Sequence, residues 1–153
     1  MAGISFCSLM AQLGGLGRVP FAPGTVATIV AGIPSVFLLG LVGEPFAFAL
    51  MVLFFLVSCY CADVAETELQ TTDPGAVVID ELVGFLITMF GFPLTLQTLL
   101  IGIVGFRLMD IWKPWPISLF QEKLRGGFAI VMDDVAAGIL AHALVWAGLR
   151  ICG

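Results

Sequence analysis

Charge is what this sequence has least of. Only 17 of its 153 residues are charged, 11 acids and 6 bases. That is 11% of the chain, where soluble domains carry about 25%. A soluble globule of this length could not cover its surface with so few polar side chains. Disordered chains are polar and charge-rich, so disorder is excluded as well. The net charge is −5 and no basic stripe is visible, which argues against nucleic-acid binding. Histidine is nearly absent: His142 stands alone in an apolar stretch and reads as a packed helix residue. The four cysteines lie mostly in apolar surroundings, which disfavours a disulfide scaffold. None is followed six residues later by arginine, as a cysteine phosphatase loop requires. Asp-x-Asp is missing, and so is the Gly-Lys-Ser/Thr ending of a Walker A loop. The amino terminus has neither a basic n-region nor a cleavage pattern, so no signal peptide is expected.

What is present is a series of long uncharged runs. They hold 25 residues between Arg18 and Glu44, 18 between Glu44 and Asp63, 25 between Glu81 and Arg107, and 15 between Asp134 and Arg150. A helix needs about 20 apolar residues to cross a bilayer, and its backbone must satisfy itself there. Period-2 alternation is not evident, against a membrane barrel. The expected fold is therefore all-α: one small polytopic membrane domain over 1–153, with about three full spans and a short broken hairpin. The spans are expected near 25–43, 45–62 and 134–151. Asp133 and Asp134 at the start of the last, and Arg150 at its end, would suit the helix dipole.

The third gap is ambiguous. Gly91-Phe92-Pro93 breaks it into 82–91 and 94–106, each too short to span. A hairpin that dips in and returns is preferred over one tilted span. It would gather 15 of the 17 charges on one face, with Glu44 and Arg150 opposite. Arg18, Arg107, Lys113, Lys123 and Arg125 would mark that face as cytoplasmic.

Four polar clusters flank these runs. Gly15 to Thr25 leads into the first span; its glycines and helix start could receive an anion, with Thr25 capping the helix or touching phosphate. An ordinary capped start is the plain alternative. Asp73-Pro74-Gly75 is a turn that leads to Asp80-Glu81, and adjacent carboxylates at an apolar edge suit a hard cation such as Mg²⁺. They could instead serve a helix dipole. Arg107, Asp110 and Lys113 are spaced to lie along one side of a helix. That set can hold a metal and a phosphate together; the alternative is an exposed salt-bridge face. Trp112 and Trp115 read as interfacial anchors. Gly126-Gly127 precedes Asp133-Asp134, which suit a metal or, again, a dipole.

In their order and spacing these clusters resemble the phosphatidylglycerophosphatase A family, bacterial membrane lipid phosphatases. The resemblance runs from about Gly15 to Gly138. It rests on Pro20-x-x-Pro23-Gly24-Thr25, Asp73-Pro74 with Val77-Val78-Ile79-Asp80-Glu81, Phe106-Arg107-x-x-Asp110-x-x-Lys113-Pro114-x-Pro116, and Gly126-Gly127 with Asp133-Asp134-x-x-Ala137-Gly138. It implies Mg²⁺-dependent hydrolysis of phosphatidylglycerophosphate to phosphatidylglycerol and phosphate at the inner membrane. By position, Asp80, Asp110, Asp133 and Asp134 would be metal-site acids and Glu81 a ligand or base. Arg107 and Lys113 would hold phosphate. Two positions depart from the family pattern: Val19 stands where serine is common and Gln121 where an acid is common.

Lacking a cysteine, histidine or Asp-x-Asp nucleophile signature, the sequence favours direct attack by water. Rival readings are a cation transporter or channel, a phosphatase for another lipid phosphate such as phosphatidic acid, and an inactive interaction subunit. The number of metal ions and the oligomeric state are left open.

Overall fold

The computed structural model describes residues 4–114 and 125–152. Among these residues all regular structure is helical. Gln121, Lys123 and Trp115, named above, lie outside them.

A short helix the sequence reading did not expect, α1 (Phe6–Ala11), comes first. The Ser5 side chain caps it by accepting from the Ser8 N–H. A 3-10 stretch, Leu13–Arg18, is kinked at Gly14 and Gly15, both at positive φ. Helix α2 (Pro23–Gly40) is the first long apolar helix. It widens into a π-turn at Thr28–Gly32. Pro34 follows and has no N–H to return to Val30, which accounts for the wide turn there.

Helix α3 (Glu44–Leu69) runs seven residues past its expected end at 62. Ala62 at the expected end and Ala65 in the extension are fully buried, packed with Ala11 of α1. Glu68 ties the two helices, accepting from Ser8 Oγ at 2.5 Å and from the Ser5 N–H at 3.3 Å. Buried Cys61 belongs to the same packed cluster, and half-buried Cys7 packs against it.

Helix α4 (Ile79–Met89) is short because it never meets lipid: nine of its 11 residues are buried. It lies against α6 (Gly126–Cys152), with α2, α3 and α5 (Leu96–Trp112) around it. Contact with α6 is backbone to backbone. A Cβ on Gly138 would run into the Gly84 carbonyl, and one on Gly84 would lie 2.6 Å from the Asp134 carbonyl.

The break after α4 settles the topology. Gly91 takes φ +77°, and a Thr95–Thr98 capping box starts α5. Helix α5 then runs back, so that Arg107 near its end pairs with Glu81 near the start of α4. The pair forms a hairpin, and a single tilted span is excluded. Its tip, Met89–Leu94, shares a cavity with Gly40, Val42 and Glu44 of the α2–α3 turn. His142 packs on this hairpin, with Nδ1 3.2 Å from the Ile87 carbonyl and its ring on Phe92, away from the charged clusters.

Helix α6 starts eight residues before the expected 134. Asp133 and Asp134 therefore sit two turns in and do not complement its dipole. Asp63 of α3 does that instead, accepting from the Gly127 N–H at 3.1 Å. Three helices, α2, α3 and Gly126–Ile151 of α6, are long and apolar enough to cross a membrane. Their outer faces carry exposed Phe37, Phe46, Phe48, Leu53 and Ile139, so this is a membrane protein.

Candidate active site

The start of α2 and the charged ends of α3 to α6 meet around one cavity of about 870 Å³. It is lined by Ala22, Pro23 and Gly24 of α2, Glu66 of α3, residues of the Thr72–Val78 loop, and Asp80 and Glu81 of α4. Arg107, Asp110 and Lys113 close it from the α5 side, and Arg125, Asp133 and Asp134 from the α6 side. Among the described lining residues seven carboxylates face three cations, a formal excess of four negative charges.

Each group arrives by a local device. Asp73 sits at φ +48° in the Asp-Pro-Gly turn. Val77, Val78 and Ile79 are buried, and the Val78 N–H donates to the Ala11 carbonyl at 2.9 Å, which fixes the entry to α4. Asp80 and Glu81 then fall in the first turn of α4. Asp80 is 9% exposed, and its Oδ1 has no hydrogen-bond partner. Burial first, then the charge of Glu81, pushes the Asp80 carboxyl well above the usual carboxylate range. Burial also raises Glu81, although the Arg107 guanidinium pulls the other way.

Arg107 bridges two acids: it pairs with Glu81 and reaches Asp110 at 2.8 Å. The side chains of this trio are only 14–18% exposed, so they are not a solvated salt-bridge face. Arg107 keeps a buried donor, Nε, without a partner. Helix α5 ends at Trp112, so Lys113 does not continue the Arg107–Asp110 row. It is the left-handed C-cap at φ +44°, and its ammonium turns across the cavity to Asp133. Burial works against that ammonium, but the hydrogen bond and charge of Asp133 outweigh it and raise Lys113.

Asp133 and Asp134 are 5% and 4% exposed. The Asp134 Oδ2 is buried and has no hydrogen-bond partner among the described residues. Asp80 and Asp134 could thus present free oxygens to a hard cation. Among the described residues no three carboxylates already converge as a metal cluster. Mg²⁺ does not need that, since it is commonly held by one or two carboxylates plus water and substrate oxygens. The donor set fits it.

Of the residues expected from sequence, the cavity collects Asp80, Glu81, Arg107, Asp110, Lys113, Asp133 and Asp134. Thr25 is not among its lining residues. Nor does Thr25 cap α2; Ala22 is the N-cap, with no side-chain hydrogen bond. The contribution of this segment is Gly24, where a Cβ would overlap the Glu81 carboxylate. Gly127 likewise makes room for a helix, abutting the backbone of Cys59 and Asp63. Arg18 is held by Gln12 at 2.6 Å and does not line the cavity, and exposed Trp112 faces outward from it. Glu66 and Arg125 are lining residues that sequence reading missed. For Glu66 a signal existed: acids near a helix C-terminus oppose the dipole and need another reason to be there.

The family model for phosphatidylglycerophosphatase A matches residues 9–149. The chain belongs to the phosphatidylglycerophosphatase A family. Two relatives carry that name. One, from Haemophilus influenzae, is 39% identical over 87% of this chain and 82% of its own. The other, from Escherichia coli, is 31% identical over 86% of this chain and 77% of its own. A third, from Bacteroides thetaiotaomicron, is named a putative phosphatidylinositol-3-phosphatase, at 34% identity over 86% of both chains. No solved structure matches the chain. The family match runs from within α1 almost to the end of α6 and takes in the motif-bearing stretch between them.

Proposed function

We propose that this protein removes the terminal phosphate of phosphatidylglycerophosphate with the help of Mg²⁺, giving phosphatidylglycerol and inorganic phosphate. Family membership supports the substrate, and two relatives bear the name of that activity. The observation that carries the metal is the charge of the cavity. Among the described lining residues, seven carboxylates against three cations would repel a phosphomonoester dianion. Added divalent charge resolves this, and Asp80 and Asp134, with their unpartnered oxygens, are the residues that would hold it. Bound Mg²⁺ would neutralise phosphate charge and lower the pKa of a coordinated water.

The chain's own residues do the rest. Arg107, fixed between Glu81 and Asp110, offers its remaining N–H groups to phosphate oxygens in a planar fork. Lys113, steadied by Asp133, adds a point charge from the opposite wall. Both cations are positioned before substrate arrives, which favours the charge that develops in the transition state. Among the described lining residues there is no cysteine, histidine or serine, so water is the proposed nucleophile, aligned by a cavity carboxylate. Solvent oxygen-18 should enter the released phosphate in a single turnover; a trapped phosphoenzyme would refute direct attack.

The location suits a lipid. Acyl chains remain in the leaflet while the head group enters a cavity at the helix ends. Arg18, Arg107, Lys113 and Arg125 lie in the segments at that end, which we assign to the cytoplasmic face of the inner membrane by the positive-inside rule. The deciding experiment is phosphate release by purified protein from phosphatidylglycerophosphate, with Mg²⁺ and with chelator. Release that chelator leaves unchanged would remove the metal from the proposal. The Bacteroides relative's name favours one second reading, a different lipid phosphomonoester. The same assay with phosphatidylinositol 3-phosphate and phosphatidic acid distinguishes them. Mg²⁺ flux through liposomes without phosphate release would favour a transporter instead.

A further inference from the structure

Gln12 is out of character for its place. It follows α1 and is 1% exposed, although glutamine is ordinarily a surface residue. Its backbone carbonyl accepts from the Gly15 and Gly17 N–H groups at 3.0 and 3.1 Å, which closes the 3-10 turn. Its side chain has another task. Oε1 accepts from Arg18 Nε at 2.6 Å, and Nε2 is buried with no hydrogen-bond partner among the described residues. A buried amide left half satisfied costs stability. What the cost secures is the orientation of Arg18, an exposed residue outside the lining of the acidic cavity. An exposed arginine fixed from a buried position is built to meet something outside the chain.

The surroundings say what that is. Leu13, which opens the turn, packs on both core clusters, to which Leu82 and Val83 of α4 belong. A Cβ at Gly17 would overlap the Ala76 carbonyl and come within 3.2 Å of the Val78 side chain. Arg18 therefore stands level with the entry to α4, close to the depth of Asp80. On the same amino-terminal segment Phe6, Leu9 and Phe21 are exposed, Phe21 at 83%, as on a segment that lies in the bilayer surface. An arginine among such residues meets the phosphate layer of the leaflet. We propose that Arg18, oriented by Gln12, binds the phosphodiester of a membrane phospholipid beside the cavity, in a lipid site separate from the catalytic one. With Nε held by Gln12, the two terminal nitrogens remain to fork the two free oxygens of a phosphodiester. This site does not depend on which lipid phosphate is hydrolysed.

The test is thermal unfolding of the purified protein in dodecyl maltoside micelles that carry increasing fractions of phosphatidylcholine. That lipid has the diester but no monoester for the catalytic cavity. Diacylglycerol, which has no phosphate, is the control. The melting temperature of wild type should rise with phosphatidylcholine, as for any ligand of the folded state, and not with diacylglycerol. In Arg18→Ala the lipid fraction giving half the rise should increase about tenfold, the size of one hydrogen bond to a charged group. Arg18→Lys, which keeps the charge and loses the fork, should be intermediate. Gln12→Leu removes the buried amide, so it should melt higher than wild type without lipid and yet need severalfold more lipid for half the rise. A merely structural glutamine would not move these two readings in opposite directions. An unchanged lipid response in Arg18→Ala would overturn the site, as would an equal response to diacylglycerol. Gln12→Leu that melts lower without lipid and keeps the wild-type lipid response would overturn the orientation of Arg18 by Gln12.

Discussion

Gly24→Ala tests the built geometry of the site without touching a charged group. A Cβ at Gly24 would fall on the Glu81 carboxylate. Glu81 would have to retreat by about 2 Å to reach ordinary van der Waals distance. It cannot do so and keep its bond to Arg107, because charge-assisted bonds of this kind span only about 2.7–2.9 Å. Glu81 and Arg107 are 14% and 18% exposed, so water only partly replaces the lost partner. The stability cost is about 2 kcal/mol, the scale of a hydrogen bond to a charged group. The activity cost is larger, because Arg107 loses one of the two acids that fix its plane; a displacement of about 1 Å can lower turnover about 10²-fold. Phosphate release from micellar lipid and thermal unfolding in the same detergent measure the two effects. Glu81→Asp shortens the side chain by one methylene, about 1.5 Å. The double variant Gly24→Ala/Glu81→Asp should therefore recover at least tenfold over Gly24→Ala alone. A single variant within twofold of wild type would refute the reasoning, as would a double variant no better than the single.

Asp80→Asn should nearly abolish phosphate release yet raise the melting temperature of the metal-free protein, because it removes a buried charge whose Oδ1 lacks a partner. Mg²⁺ should raise the melting temperature of wild type, by the equivalent of about 2.7 kcal/mol at a hundred times its dissociation constant, and much less in Asp80→Asn. The carboxyls of Asp80 and Glu81 are raised in the folded chain, so the metal-free fold binds more protons than the unfolded chain. Its stability should be greatest below the ordinary carboxylate range and fall as pH rises through the raised folded values, which denaturant titrations without divalent cation will show. Gly138→Ala places a methyl on the Gly84 backbone, which cannot swing aside as a side chain can. It should cost about 3 kcal/mol or more, read as lost thermal stability without a change in the inhibition constant of phosphatidylglycerol for the surviving folded fraction.

Much of this molecule can be read from where its charges are not. The uncharged runs locate the three apolar helices, because one energetic rule, the cost of placing charge in hydrocarbon, governs both. Proline and glycine at 91–93 locate the hairpin turn for an equally local reason. Helix ends were less legible. Helix α3 continues through Asp63, Glu66 and Glu68, and α6 begins at Gly126, because both protrude as a packed pair that Asp63 joins to Gly127. That is a tertiary cause, invisible to hydropathy. The carboxylates and the Arg–Asp–Lys set were legible as residue types but not as partners. Sequence spacing put Lys113 in a row with Arg107, whereas a left-handed cap turns it to Asp133. Thr25 looked more chemical than Gly24, yet the space that Gly24 leaves is what the site uses.

The placement of α4 explains how a chain this apolar can afford so acidic a cavity. An 11-residue helix cannot cross a bilayer and would strand its polar ends in lipid if it stood alone. Surrounded by α2, α3, α5 and α6, it meets protein on nearly every face, so its first turn can carry Asp80 and Glu81 below the level at which the longer helices end. Helix α6 supplies Asp133 and Asp134 two turns inside its own start, and the Gly84–Gly138 contact holds the two backbones close, so that Asp80 and Asp134 line one cavity. Small residues at the crossing and acids one to two turns away are thus parts of one arrangement. Widening that crossing would separate Asp80 from Asp134, relieve their repulsion, and weaken the place where a divalent cation would be drawn in.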